Sequence, residues 1–299
     1  YRPDVKRRLR IDYPDLKKIN PRIVYASISA YGQDGPYETW PGFDQIAQGM
    51  GGIMSVTGLP GQGPVRAGAA VADMAAGLFA ALGVMTALLE REQSGEGQFV
   101  ETSLLAAQIF LLDFQAARWL IDKEVPGQAG NNHPTAVPTG VYRTKDGHIN
   151  IATTGSPTWA RFCKAIGGEH LTKHPDYATN ALRLKNRDAL NADIEKTLAS
   201  DTSASWIERL NAEGVAAGPI YTMDEVCADK QVQHLGVATD MATPDRGTLK
   251  VIRQPFSLSR TPSKVVMHTP ERGEHTDEVL AELGFSTDEI EELRNAGAV

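Results

Sequence analysis

The sequence predicts an α/β fold: a first domain on a mostly parallel sheet, then a smaller α+β domain. Three observations carry this reading. Residues 74–92 read as a long helix of mostly small apolar residues, closed by Ser94-Gly95-Glu96-Gly97. Residues 98–103 read as a strand, and residues 104–121 as another long apolar helix. Helix, tight glycine turn, strand, helix is the succession that parallel sheets use. A length of 299 residues suits about two domains.

Ahead of these elements, residues 23–29 are rich in β-formers and end in Gly32 and the Gly35-Pro36 turn, as a buried strand delivering a loop does. The glycine-rich stretch 41–63 carries Ile46, Ala47, Met50, Ile53 and Met54, which predicts a close-packed helix rather than a linker. The first domain is expected over 1–125, with a Gly/Asn/Pro/Thr linker over 126–139. The smaller domain, 140–256, opens on a hairpin around Lys145-Asp146-Gly147. Helices are predicted near 158–166, 187–199 and 203–212, a capping box at Thr222-x-x-Glu225 starts another, and 247–252 forms a late strand. A second linker, 257–273, leads to C-terminal helices over 274–299, the last opened by Ser286-x-x-Glu289.

Composition excludes several classes. Hydrophobic residues make up 41% and charged ones 22%, an ordinary globular balance. A net charge of -7 provides no global positive field for nucleic acid or an anionic membrane, so neither is expected as a partner. Cys163 and Cys227 cannot make a disulfide framework and lack metal-ligand spacing, and a cytoplasmic location is expected. The uncharged run 74–89, bounded by Asp73 and Glu90, has 16 residues, short for a bilayer span. No metal is expected: His170 and His174 are spaced i, i+4 but lack the intervening glutamate of a metalloprotease, and read as a surface pair. Gly58, Gly61 and Gly63 read as a flexible loop, with a phosphate cradle as the lesser alternative.

Charge is unevenly placed. Residues 1–22 carry eight Lys/Arg against Asp4, Asp12 and Asp15, whereas residues 271–299 carry nine acids against Arg272 and Arg294. Two solvated helix faces explain this. A local site for a phosphate-bearing ligand near the start explains the cations equally well.

Asp73 also has two readings. It stands between the small apolar segment Gly68-Ala69-Ala70-Val71-Ala72 and the long helix, where an aspartate serves as N-cap. A carboxylate at the positive end of a buried helix, desolvated on one side, is also equipped to attack an activated carbonyl. Local sequence leaves both open.

Several segments, in this order, resemble family III CoA-transferases, the CaiB/BaiF family. They are Asn20-Pro21-Arg22-Ile23-Val24-Tyr25-Ala26-Ser27-Ile28-Ser29-Ala30-Tyr31-Gly32-Gln33-Asp34-Gly35-Pro36, Pro41-Gly42-Phe43-Asp44-Gln45-Ile46-Ala47-Gln48 and Val71-Ala72-Asp73-Met74-Ala75-Ala76-Gly77. Ser94-Gly95-Glu96-Gly97-Gln98, Gly214-Val215-Ala216-Ala217-Gly218-Pro219 and Gly273-Glu274-His275-Thr276-Asp277-Glu278-Val279-Leu280 complete the set, and the match is collinear from Tyr1 to Val299.

The resemblance implies a Rossmann-like large domain, to which the C-terminal helices return, and an interlocked homodimer. It implies transfer of coenzyme A from an acyl-CoA to a small carboxylic acid, with Asp73 as the catalytic nucleophile and an aspartyl-CoA thioester as intermediate. Arg2 and Arg8 fall on the family's arginines that meet CoA phosphates, and Asp44 is expected to line the CoA site. Gly51 and Gly52 are candidates for oxyanion donors, though packing explains them equally well. Asp4 stands where the family usually has glycine. The chain opens at Tyr1, and the family's first strands are expected ahead of it. The same fold hosts α-methylacyl-CoA racemases, but their histidine position is Phe43 here, which cannot move a proton. The stretch Thr153-Thr154-Gly155-Ser156-Pro157 is a poor copy of the glycine loop that covers the intermediate in formyl-CoA:oxalate enzymes. A racemase, or a catalytically silent CoA-binding subunit with Asp73 as a mere cap, are the rival readings.

Overall fold

The computed structural model describes residues 1–299 and divides into two compact units, Tyr1–Pro219 and Ile220–Val299. The first unit opens with α1 (Pro3–Leu9) and α2 (Tyr13–Ile19), then β1 (Tyr25–Ser29), α3 (Asp44–Met50) and α4 (Ile53–Val56). Next come α5 (Val71–Ser94), β2 (Phe99–Ser103), α6 (Leu104–Phe110) and α7 (Phe114–Asp122). Strands β1 and β2 pair in parallel, from Tyr25 opposite Phe99 to Ser29 opposite Ser103. The architecture is mixed α/β, and this parallel sheet is two strands wide.

Helix α5 organises this region because one of its faces carries almost nothing larger than alanine. Ala72, Ala75 and Ala76 are buried with Ala47, Leu104 and Ala107, which lets α3, α5 and α6 approach closely. A Cβ at Gly83 would come within 2.6 Å of Val100 Cγ1, so α5 lies directly on β2. The turn after α5 depends on two glycines for different reasons. Gly95 takes a φ of 77° and returns its N–H to the Arg91 carbonyl at 2.8 Å. At Gly97, a Cβ would lie 2.0 Å from the Ile23 carbonyl oxygen.

Two expectations are corrected here. The helix begins at Val71 instead of residue 74, and its 24 residues are long and apolar enough, by length and composition alone, to cross a membrane. The stretch 104–121 is two helices bent by 82°, not one. The break falls at Asp113, whose φ is 47°. With a ψ of -121° it lies outside the left-handed helical region, a strained backbone for a residue other than glycine. The bend places Phe110 edge-on to Phe79 at 4.9 Å and stacks Phe114 on His133 at 5.5 Å, tertiary contacts that no local pattern announces.

The rest of the first unit has its own core. Strands β3 (Thr139–Arg143) and β4 (His148–Ala152) form the expected antiparallel hairpin, and β5 (Ala216–Pro219) adds to β4 as a third strand. Ile149 and Ile151 alternate inward from β4. Around the sheet lie α8 (Gly155–Ala165), α9 (Glu169–Thr172), α10 (Asn180–Lys185), α11 (Arg187–Leu198) and α12 (Ser203–Ala212). Phe162, Leu190, Ile194, Leu198, Trp206 and Leu210 fill the space between.

The second unit holds α13 (Met223–Ala228), α14 (Lys230–Leu235), the antiparallel pair β6 (Ala238–Thr243) and β7 (Gly247–Ile252), α15 (Thr276–Glu282) and α16 (Thr287–Asn295). Both sequence-read capping boxes form, Thr222 with Glu225 and Ser286 with Glu289. The partner strand β6 was not read from the sequence.

Candidate active site

The start of α5 is capped from outside its own segment. Its N-cap position is Ala70, which has no side chain able to bond the free helix amides. Asp44, the first residue of α3, supplies the missing acceptor: its Oδ1 accepts the Ala72 N–H at 3.0 Å. Its Oδ2 accepts from Gln48 Nε2 at 2.7 Å and from Arg66 Nη2 at 3.2 Å. Asp44 is buried, at 6% exposure, and its carboxylate is fully engaged. Gln48, entirely buried, binds the segment leading into α5 through the Ala67 N–H (2.9 Å) and the Ala69 carbonyl (3.1 Å).

Asp73 is therefore not the cap. It occupies the third position of α5, is exposed, and its carboxylate makes no hydrogen bond or ion pair within the chain. The expectation that it opens the helix is corrected. With Asp44 holding Ala72, the next carboxylate along is left free in the first turn, near the partial positive charge of a long helix.

Gly51 and Gly52 do not offer free donors. The Gly51 N–H bonds the Ala47 carbonyl at 2.7 Å and the Gly52 N–H bonds the Gly49 carbonyl at 3.3 Å. A Cβ at Gly51 would meet Gln108 Cγ at 2.4 Å, so close packing between α3 and α6 accounts for that glycine.

A 370 Å³ cleft is lined among others by Arg2, Tyr31, Trp40 and Phe43. Phe43 is 77% exposed and is the N-cap residue of α3, immediately before Asp44. The cleft thus runs from Arg2 to the residue whose neighbour holds the start of α5. Arg2 is not free there: it donates to the Thr39 carbonyl at 3.0 Å and pairs with Asp4 at 3.2 Å. Arg8 is exposed and makes no side-chain bond. Lys6 does not lie on a solvated face. It is on the buried face of α1, donating to Ser27 Oγ at 3.0 Å and Gln33 Oε1 at 2.5 Å, with Asp12 3.7 Å away. Part of the cationic excess near the start is therefore structural.

Farther along, Thr153 is buried against the Pro138 carbonyl and Gly155, with a φ of 76°, starts α8. Sequence reasoning missed Arg66 and Gln48. The i, i+4 spacing of Asp44 and Gln48 was a usable signal, since a helix sets such residues side by side. Nothing local pointed to Arg66.

A sequence profile of CoA-transferase family III matches residues 1–276. The chain belongs to this family. It is similar to a succinate–glutarate CoA-transferase of Agrobacterium fabrum, 35% identical over 91% of this chain and 68% of that protein. It is also similar to a mouse succinyl-CoA:glutarate CoA-transferase, 33% identical over 100% of this chain and 69% of that one. This family III chain thus spans about two thirds of the length of those relatives. Among solved structures, a CaiB/BaiF family protein from Brucella suis superposes with a TM-score of 0.80 at 32% identity, covering 95% of this chain and 74% of that one.

Proposed function

We propose that this family III chain transfers coenzyme A from an acyl-CoA to a free carboxylic acid, with Asp73 as nucleophile. The observation that carries the reading is the division of labour at the start of α5: Asp44 does the capping, and the Asp73 carboxylate stands exposed and unbonded. A carboxylate is a weak nucleophile, so placement beside a bound thioester must supply much of the rate. In the proposed cycle an Asp73 oxygen attacks the thioester carbonyl, the C–S bond breaks, and CoA leaves as thiolate, giving a mixed anhydride. The thiolate attacks the Asp73 carbonyl carbon, the donor acid departs as carboxylate, and an aspartyl-CoA thioester remains. An incoming carboxylate reverses both steps. Every proton count is unchanged, so no general base is needed. That agrees with Phe43, which offers no titratable group beside Asp44.

The cleft from Arg2 to Phe43 is our proposed path for the CoA chain, with Arg8 and Arg2 toward the phosphates. Asp44 acts there as a positioning residue beneath the site. We further read the β1–α5–β2–α6 succession as part of a Rossmann-like large domain, and expect the protein in the cytoplasm. An interlocked homodimer is proposed on the exposed stripe Met74, Leu78, Leu82, Met85 and Leu89 of α5, each 57–70% exposed. Apolar area of that extent on one helix face calls for a cover.

The experiment that tests the reading is trapping. After incubation with succinyl-CoA, hydroxylamine should leave a hydroxamate on Asp73, read by peptide mass spectrometry. Turnover without any modification at Asp73 would exclude this mechanism.

A further inference from the structure

Arg66 stands between α4 and α5, and its bonding is lopsided. One guanidinium N–H group, at Nη2, meets Asp44 Oδ2 at 3.2 Å, although the group carries five donors in a planar fork. Its side chain is 40% exposed, against 9% for Asp44. A guanidinium serving only to neutralise a buried carboxylate would be expected to engage it through two parallel bonds. Here Asp44 has already committed its other oxygen to Ala72 and shares Oδ2 with Gln48. The remaining donors of Arg66 are thus available on the side of the cluster that solvent reaches. Through the Asp44 carboxylate the guanidinium connects to the N–H of Ala72, the residue before Asp73.

Resting on the transfer reading above, we propose that Arg66 is a specificity residue that pairs with the remote carboxylate of a dicarboxylic acid whose other carboxylate reacts at Asp73. Set back from Asp73 by the Asp44 carboxylate, it is placed for a second charge on the same substrate. A monocarboxylate of equal length reaches Asp73 with nothing to offer it. The planar fork suits a carboxylate better than a lysine would.

Binding to the full chain tests this independently of turnover. Calorimetric titration with glutarate and with valerate, which has the same carbon count but one carboxylate, should show glutarate bound more tightly by wild type. That preference should fall about tenfold or more in Arg66→Gln, the scale of a lost charged hydrogen bond. Equal affinity for both acids in wild type overturns the proposal, and so does an unchanged preference in the variant. Should Arg66→Gln fail to fold, Arg66→Lys keeps a cation beside Asp44 without the fork. A reduced preference there supports the proposal and an unchanged one overturns it. Failure of the transfer reading itself is read separately, from the hydroxamate on Asp73.

Discussion

Asp44 holds the backbone N–H of Ala72 at 3.0 Å across 28 positions of sequence, and the neighbouring carboxylate of Asp73 is left without a partner. One aspartate holds the helix start, and the other stands exposed and unbonded beside it.

Asp73→Asn should abolish turnover, by a factor of about 10⁴ or more, as loss of a covalent nucleophile does. Its unfolding midpoint in urea should stay close to wild type, because the carboxylate makes no bond in the chain. A loss of about 1 kcal/mol with activity intact is what a helix cap would give, and would refute the nucleophile assignment.

Asp44→Ala should show the converse pattern. It removes the acceptor of Ala72 N, Gln48 Nε2 and Arg66 Nη2 in a buried setting, at a cost of about 2–4 kcal/mol read by urea denaturation. Asp44→Asn retains an acceptor at the helix start and should recover part of that stability.

At the proposed phosphate end, Arg8→Gln should raise the KM for acyl-CoA more than Arg2→Gln does. Arg2 already pairs with Asp4, whereas Arg8 has no partner to leave. Asp4→Gly should release Arg2 and lower that KM. Steady-state kinetics at two ionic strengths checks both, since exposed charge effects weaken with salt.

For the dimer, Leu78→Glu combined with Leu82→Glu should shift the molecular mass by light scattering toward the monomer. Both side chains are more than 60% exposed on α5, so the change disturbs no packing within one chain. An unchanged mass would refute the proposed dimer on this stripe.

Much of the fold was legible because it was local. The Gly95 turn, the hairpin around Lys145-Asp146-Gly147 and both capping boxes are each specified within a few residues, and each forms as read. The bend at Asp113 was not legible: neither glycine nor proline marks it, and its reasons are Phe79 and His133, both distant in sequence.

At the site, residue types singled out Asp73 and the cationic start, and the family resemblance added Asp44. Local sequence left the role of Asp73 open between cap and nucleophile, since a cap is defined by which oxygen meets which amide. Only the tertiary structure decided that Asp44 caps, that Lys6 of α1 is buried, and that Arg66 joins the cluster. The physical reason is that hydrogen bonds between side chain and backbone of separate segments depend on how helices cross, and α3 meets α5 through Ala47 packed with Ala72, Ala75 and Ala76.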